Sequence, residues 1–263
     1  MTYIRDNEPI GENFVKIFRK DQFSVAKNFE TKKTSKLIGK NIDKIIDLVY
    51  EYTSLNSTTL DTDDEIINWT FIDVKYDLIS SAWNLYSGLY KTSASNLRSA
   101  LEMSFLSLYF QMRQNIDKIN GVSGYNKYFE EWDNGERNTP NWGEMKSIIQ
   151  QNKNIKQYNF KSNCDIVNEL YLWYGYLCNF THGKPFENSI RNSTSKPTNH
   201  MNIGTGFDVN NFYRFSNYLE DTISWIAVFW SLSFPNILKS KPKKYKLLFK
   251  GERAIDVFEY ILK

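Results

Sequence analysis

The stretch YLCNFTHGKPF, Tyr176 to Phe186, holds His182, one of only two histidines in the chain. An imidazole titrates near neutral pH, so it can take or give a proton during a reaction. A plainer role fits as well. Gly183 follows and can stop a helix in the left-handed conformation, which leaves His182 in the last turn, where the helix dipole favours a protonated ring. Tyr171, Tyr174, Cys178 and His182 recur at helical spacing and form one row beside an apolar face. Arg98, Glu102, Phe105 and Tyr109 form a second such row. Charges that close to a core must be paired. On an exposed helix an Arg–Glu pair contributes only about 0.2–0.5 kcal/mol, and Arg ahead of Glu is the weaker order. Either the pair is structural, or it serves an anion, a partner helix or a reaction. Cys178 and His182 have the i, i+4 spacing of metal ligands, but tetrahedral zinc needs a further Cys/His pair that the chain lacks. We therefore expect no metal and no cofactor. There is no GxGxxG, Walker A or GxSxG sequence.

Two pieces of the chain resemble helical prokaryotic families related to HEPN domains. In these a Gly-led turn precedes a helix containing Leu-Arg-Ser and Leu-Glu, and a later helix ends in a Ser- or Asn-containing turn with His. Here the pieces are Gly88, Leu97-Arg98-Ser99 and Leu101-Glu102, then Asn179 to His182. The resemblance implies a helical bundle, RNA as partner, a homodimer, and a metal-independent ribonuclease or RNA-binding component of a toxin or antiphage-defence system. The family's usual Arg shortly before the His has no counterpart. Gly175, Tyr176 and Leu177 stand there for His182, and Ser193, Thr194 and Ser195 for His200. A catalytic set would therefore have to be Arg98, Glu102 and His182, brought together in space. Cleavage beside a 2′-hydroxyl needs a base for its proton and a cation for the phosphate. His182 would be the base, and Arg98 a bidentate phosphate clamp oriented by Glu102. Asn179, Lys184 and Tyr109 would line the substrate side. The alternative is a non-catalytic helical scaffold that binds a protein partner.

Composition narrows the class. The chain has 263 residues, 41% apolar and 16% aromatic, which is ample for a packed core and excludes a disordered chain. Only 12 Gly and 6 Pro are present, too few for the many turns of an all-β fold. The net charge of +3 implies no partner by itself. Residues 184–250 are the basic part, with KSKPKKYKLLFKG at their end, and read as a solvated surface or a phosphate-backbone contact. Cys164 and Cys178 fall in one expected helix, about 21 Å apart at 1.5 Å per residue, too far to pair. Free thiols and a polar N-terminus point to the cytoplasm. The charge-free run Thr222 to Leu238 is short for a membrane span and contains Pro235, so a buried core helix is expected and membrane anchoring is the lesser alternative.

The elements that must position these residues are helices. A 3.6-residue period runs through Ile38, Ile42, Ile45, Ile46 and Val49. Four long amphipathic helices are expected at 62–87, 93–114, 164–182 and 211–233. In the first, Ile66, Trp69, Ile72, Tyr76, Ile79, Trp83 and Tyr86 form the expected core stripe, and in the second Leu97, Leu101, Phe105, Leu108 and Met112. The short connection at Gly88 makes these two antiparallel neighbours. A turn-rich connection and a short helix near 142–151 follow, and AIDVFEYIL ends the chain in another. The expectation is one all-α domain over 1–263: a core bundle at 62–233 with additional N- and C-terminal helices, and 183–210 a loop or lid.

Overall fold

The computed structural model describes residues 63–86, 89–122, 127–181 and 209–263. Among them are α1 (Asp63–Tyr86), α2 (Tyr90–Ile119), α3 (Lys127–Asp133), α4 (Trp142–Ile149), α5 (Lys153–Ser162), α6 (Ile166–Thr181), α7 (Val209–Ser233), α8 (Pro235–Ser240), α9 (Pro242–Tyr245), a 3-10 turn (Lys246–Leu248) and α10 (Glu252–Leu262), with no strand. The fold is all-α. The expected 38–49 helix, His182, Lys184, His200 and all of the 183–210 segment but its last two residues, which begin α7, lie outside the described residues, as do the side chains of Ile66, Trp69, Ile72 and Tyr86.

Helix α2 is the central element and packs against α1, α4, α6 and α7. Its expected stripe is in the core: Leu97, Leu101, Phe105, Leu108 and Met112 are all buried. Burial extends beyond that stripe to Ser93, Ser104, Ser107, Gln111 and Gln114. Polar groups in that position need partners. Ser104 Oγ accepts from Trp230 Nε1 at 3.0 Å, Ser107 Oγ donates to the Met103 carbonyl, and Gln111 Nε2 donates to Gln114.

Helices α1 and α2 form the expected antiparallel pair, with Ser81 Oγ against the Ser93 hydroxyl at 2.9 Å. Of the expected stripe on α1, Ile79 packs partly buried against the core, but Tyr76 and Trp83 do not. Val74, Leu78, Ser81, Ala82 and Leu85 are buried, whereas Tyr76 and Trp83 are 63% and 62% exposed. Small side chains at 81, 82, 93 and 94 let the two helices approach closely, and ring-bearing positions turn outward. Periodicity alone could not choose, because both faces of α1 carry apolar residues.

Helix α7 is a core helix. Phe212, Leu219, Ile223, Ile226, Ala227, Phe229 and Trp230 are all buried, and the helix stops before Pro235, which opens α8. No described helix is long and apolar enough to cross a membrane. The basic segment is pinned by buried Tyr245, Leu248 and Phe249, while Lys239, Lys241, Lys243, Lys244 and Lys246 are exposed.

The connection between α2 and α6 is more helical than expected, containing α3, α4 and α5. Asparagines punctuate it. Asn141 and Asn152 cap α4 and α5 through their side-chain oxygens, and Asn163, at φ 49°, ends α5 in the left-handed conformation. That stop places Cys164 ahead of α6, not within it, so the two cysteines do not share one helix. Neither cysteine is in a disulfide.

Candidate functional site

Arg98 and Glu102 stand one turn apart on α2 and meet α6 at Tyr174. Arg98 donates to the Tyr174 hydroxyl from Nε (3.2 Å) and Nη2 (3.0 Å), and Nη2 also reaches Glu102 Oε2 at 3.3 Å. The Tyr174 hydroxyl in turn donates to the same Glu102 oxygen at 3.3 Å. One phenol thus accepts from the cation and donates to the anion. Among the described residues Arg98 Nη1 meets no acceptor, and the Arg98 side chain is 26% exposed. Burial works against the guanidinium's charge, but the hydrogen bond to Tyr174 and the fields of Tyr174 and Glu102 outweigh it, and its pKa rises.

The Tyr174 ring is held by stacking. Trp142, in the first turn of α4, lies 4.5 Å from it at 8°, and 5.0 Å from Phe105 on the other helix. The Asn141 cap sets the start of α4 and so the place of Trp142. Tyr171, also against Trp142, is 45% exposed and extends the aromatic wall to solvent. Burial, first of all, pushes the Tyr174 phenol up to about 12. It is therefore a hydrogen-bond donor at neutral pH and no base. Glu102, Arg98 and Tyr174 are a mutually oriented set that shows solvent part of a guanidinium and part of a carboxylate, 26% and 32% exposed.

The remaining expected site residues separate. Tyr109 is 1% exposed and donates to Glu144 at 2.7 Å. Burial and that carboxylate raise its pKa. A ring so enclosed offers no surface to a substrate, which corrects the substrate-side role expected of it. Asn179 is exposed near the end of α6. Cys178 is close enough to raise the Arg98 and Tyr174 pKa values through its field, so the row Tyr174, Cys178 is turned toward Arg98. The next position on that row is His182, outside the described residues. Among those residues no three of His, Cys, Asp and Glu converge as ligands of a metal ion would.

Two clusters were not foreseen. Tyr128 on α3 accepts from Arg113 Nη2 at 3.0 Å and carries the Arg113 and Arg137 guanidinium groups at 4.3 and 4.2 Å from its ring centroid. On the side of α6 away from Arg98, Tyr176 and Tyr218 meet hydroxyl to hydroxyl at 2.5 Å, and Arg214 donates to both. Beside them Glu169, Leu172, Trp173, Tyr176, Tyr218 and Trp225 line an open hollow of about 500 Å³. A sequence signal existed for part of this, since Arg214 and Tyr218 are one turn apart and Trp173 and Tyr176 nearly so. Their meeting depends on how α6 packs on α7, which spacing does not reveal.

No protein-family model, curated protein or solved structure matches the chain.

Proposed function

We propose that the chain is a HEPN-like helical protein that engages RNA on its α2–α6 face, as a component of a prokaryotic defence or toxin system, with Arg98 as the phosphate clamp. The observation that supports this is the state of Arg98. Its Nε and Nη2 are fixed by Tyr174 and Glu102, its Nη1 meets no acceptor among the described residues, and the exposed Tyr171 ring stands on Trp142 beside it. A guanidinium held in place gives up little freedom when a phosphate binds, and exposed rings stack unpaired bases. Tyr174 is not the base of a cleavage reaction, so cleavage in this reading rests on His182.

The test uses a fluorescein-labelled single-stranded RNA about a dozen nucleotides long, followed by anisotropy at about 50 and about 200 mM salt. We expect salt-dependent binding that Arg98→Ala weakens about tenfold, as loss of one charge-assisted contact implies. In the same samples, with EDTA present, denaturing gels should show cleavage by the wild-type chain and none by His182→Ala. Absence of binding at the lower salt, or an unaltered affinity in Arg98→Ala, overturns the RNA reading. Binding without cleavage leaves RNA binding standing and removes the nuclease step.

One observation favours a second reading, a non-catalytic scaffold. Arg98, Glu102 and Tyr174 each bond to both of the others, as in a structural network. Under that reading Arg98→Ala lowers the melting temperature and leaves RNA behaviour unchanged.

A further inference from the structure

The hollow between α6 and α7 is walled by aromatic rings at steep mutual angles. Trp173 and Tyr218 meet at 72°, Tyr176 and Tyr218 at 82°, and Trp173 stacks on Tyr176 at 22°. Their polar handles are directed elsewhere. Trp173 Nε1 donates to Thr222, and the two tyrosine hydroxyls bind each other and Arg214, which does not line the hollow. A ligand resting on the outward surface of Trp173, Tyr176 and Tyr218 therefore meets π-surface rather than donors and acceptors. A nucleobase or sugar would leave its own polar edge unanswered there.

Glu169 is the one charged side chain among the lining residues. Arg253 holds it through a fork, Nε to one carboxylate oxygen at 2.8 Å and Nη2 to the other at 2.9 Å. Each oxygen keeps a second lone pair, and the Glu169 side chain remains 33% exposed. Aromatic faces have negative quadrupoles and attract cations, most of all cations with weakly held water. The cluster already accommodates one, since the Arg214 guanidinium lies 5.6 Å from the Tyr218 ring centroid. Among the lining residues themselves a phosphate or carboxylate would find only the like charge of Glu169.

We propose that this hollow binds a small quaternary-ammonium compound of the alkyl- or hydroxyalkyl-trimethylammonium class. The methyl-clad head group packs against Trp173, Tyr176, Tyr218 and Trp225, its charge faces Glu169, and its chain lies along Leu172, which is 65% exposed. The hollow's size suits a head group together with several atoms of chain, and falls in the usual range for small-molecule sites. The site is separate from the RNA face and does not depend on that reading.

The test titrates the full chain with choline and, in parallel, with its neutral isostere, in which a tert-butyl group replaces the trimethylammonium. Tryptophan emission is the readout, with saturation-transfer NMR on the ligand methyl groups as a second. Choline should bind with a dissociation constant of about 1 mM or tighter, and the isostere about tenfold more weakly. Trp225→Ala should weaken choline about tenfold while Trp225→Phe, which keeps the packing on Phe229, retains most of the affinity. Glu169→Gln should weaken choline and leave the isostere unchanged. Trp83→Ala, on the exposed face of α1, is the control and should change nothing. Equal binding of the isostere overturns the proposal, because the hollow would then be merely apolar. No choline binding up to about 100 mM, or uridine binding more tightly than choline, overturns it as well. A trimethyl-lysine peptide that binds more tightly than choline overturns the assignment to a free small molecule.

Discussion

Replacing Tyr174 by Phe removes one oxygen and separates positioning from charge. The hydroxyl makes three hydrogen bonds, two accepted from Arg98 and one donated to Glu102. The ring keeps its stack on Trp142 at 4.5 Å. Hydrogen bonds to charged groups contribute about 1.5–3 kcal/mol when buried, but Arg98 and Glu102 are 26% and 32% exposed, and solvent screening reduces each to well under that. A net loss of about 1–2 kcal/mol is expected, which for a chain of this size lowers the melting temperature by roughly 2–4 °C per kcal/mol. Arg98 keeps its charge but loses its orientation. Immobilising a free side chain on binding costs about 0.5–1.5 kcal/mol, so RNA affinity should fall about two- to tenfold. The slope of affinity against salt should not change, because no charge has been removed. Arg98→Ala, in contrast, should reduce that slope by about one phosphate contact. Anisotropy at several salt concentrations and a thermal melt on the same samples give both quantities. Wild-type affinity in Tyr174→Phe would show that Arg98 needs no positioning and is not the clamp. A changed salt slope would show that Tyr174 acts through charge, contrary to the reasoning.

Ser104→Ala removes the hydroxyl that accepts from the buried Trp230 Nε1 and should cost about 1–3 kcal/mol in urea unfolding with an unchanged m-value, and much less in a Trp230→Phe background. Tyr174 and Tyr218 both have phenol pKa values raised, by burial first, from the ordinary 10.0 to about 12. The folded chain therefore holds protons that the unfolded chain releases, so stability is intact below pH 10.0 and falls as pH rises toward about 12; melts against pH with phenolate absorbance check this, and full ionisation of both near pH 10.0 refutes it. Leu78→Ala on α1 should cost about 2–5 kcal/mol, and Trp83→Ala no more than about 0.5 kcal/mol, in parallel unfolding curves. Gly175 lies within α6, and a Cβ there would meet nothing within 4 Å, so Gly175→Ala should stabilise the chain by about 0.5–1 kcal/mol.

The fold class and the four long helices were legible because burial imposes a 3.6-residue period on long segments. The stripe of α2 was read correctly, as Leu97 through Met112 show. On α1 the spacing places Ile79 against the core but misplaces Tyr76 and Trp83, because hydrophobicity favours those rings whereas close packing against α2 favours Ser81 and Ala82. Helix α3 is only seven residues long and α5 is bounded by asparagines at both ends, local signals that compete with the same residues' loop preference, so neither is legible from periodicity. Arg98 and Glu102 were visible as charges beside an apolar stripe, but Tyr174, which orients both, lies 76 and 72 residues away.

Helix α6 joins the two polar regions. Tyr174 and Tyr176 are two residues apart, so their side chains leave α6 on nearly opposite sides. Tyr174 receives Arg98 from α2, and Tyr176 receives Arg214 from α7. Trp142 stacks on the first side and Trp173 on the second. The chemistry nevertheless differs between the sides. Toward α2 the phenol leaves a guanidinium edge outward, which suits an anion. Toward α7 the phenols draw Arg214 away from the lining and leave ring faces beside a carboxylate, which suits a cation. A tilt of α6 would loosen both arginine–tyrosine contacts together, so a ligand that fixes α6 on one side must also steady the other. That coupling is why RNA affinity and choline affinity should be measured in each other's presence: if α6 is the shared element, each ligand raises the affinity of the other by the same factor.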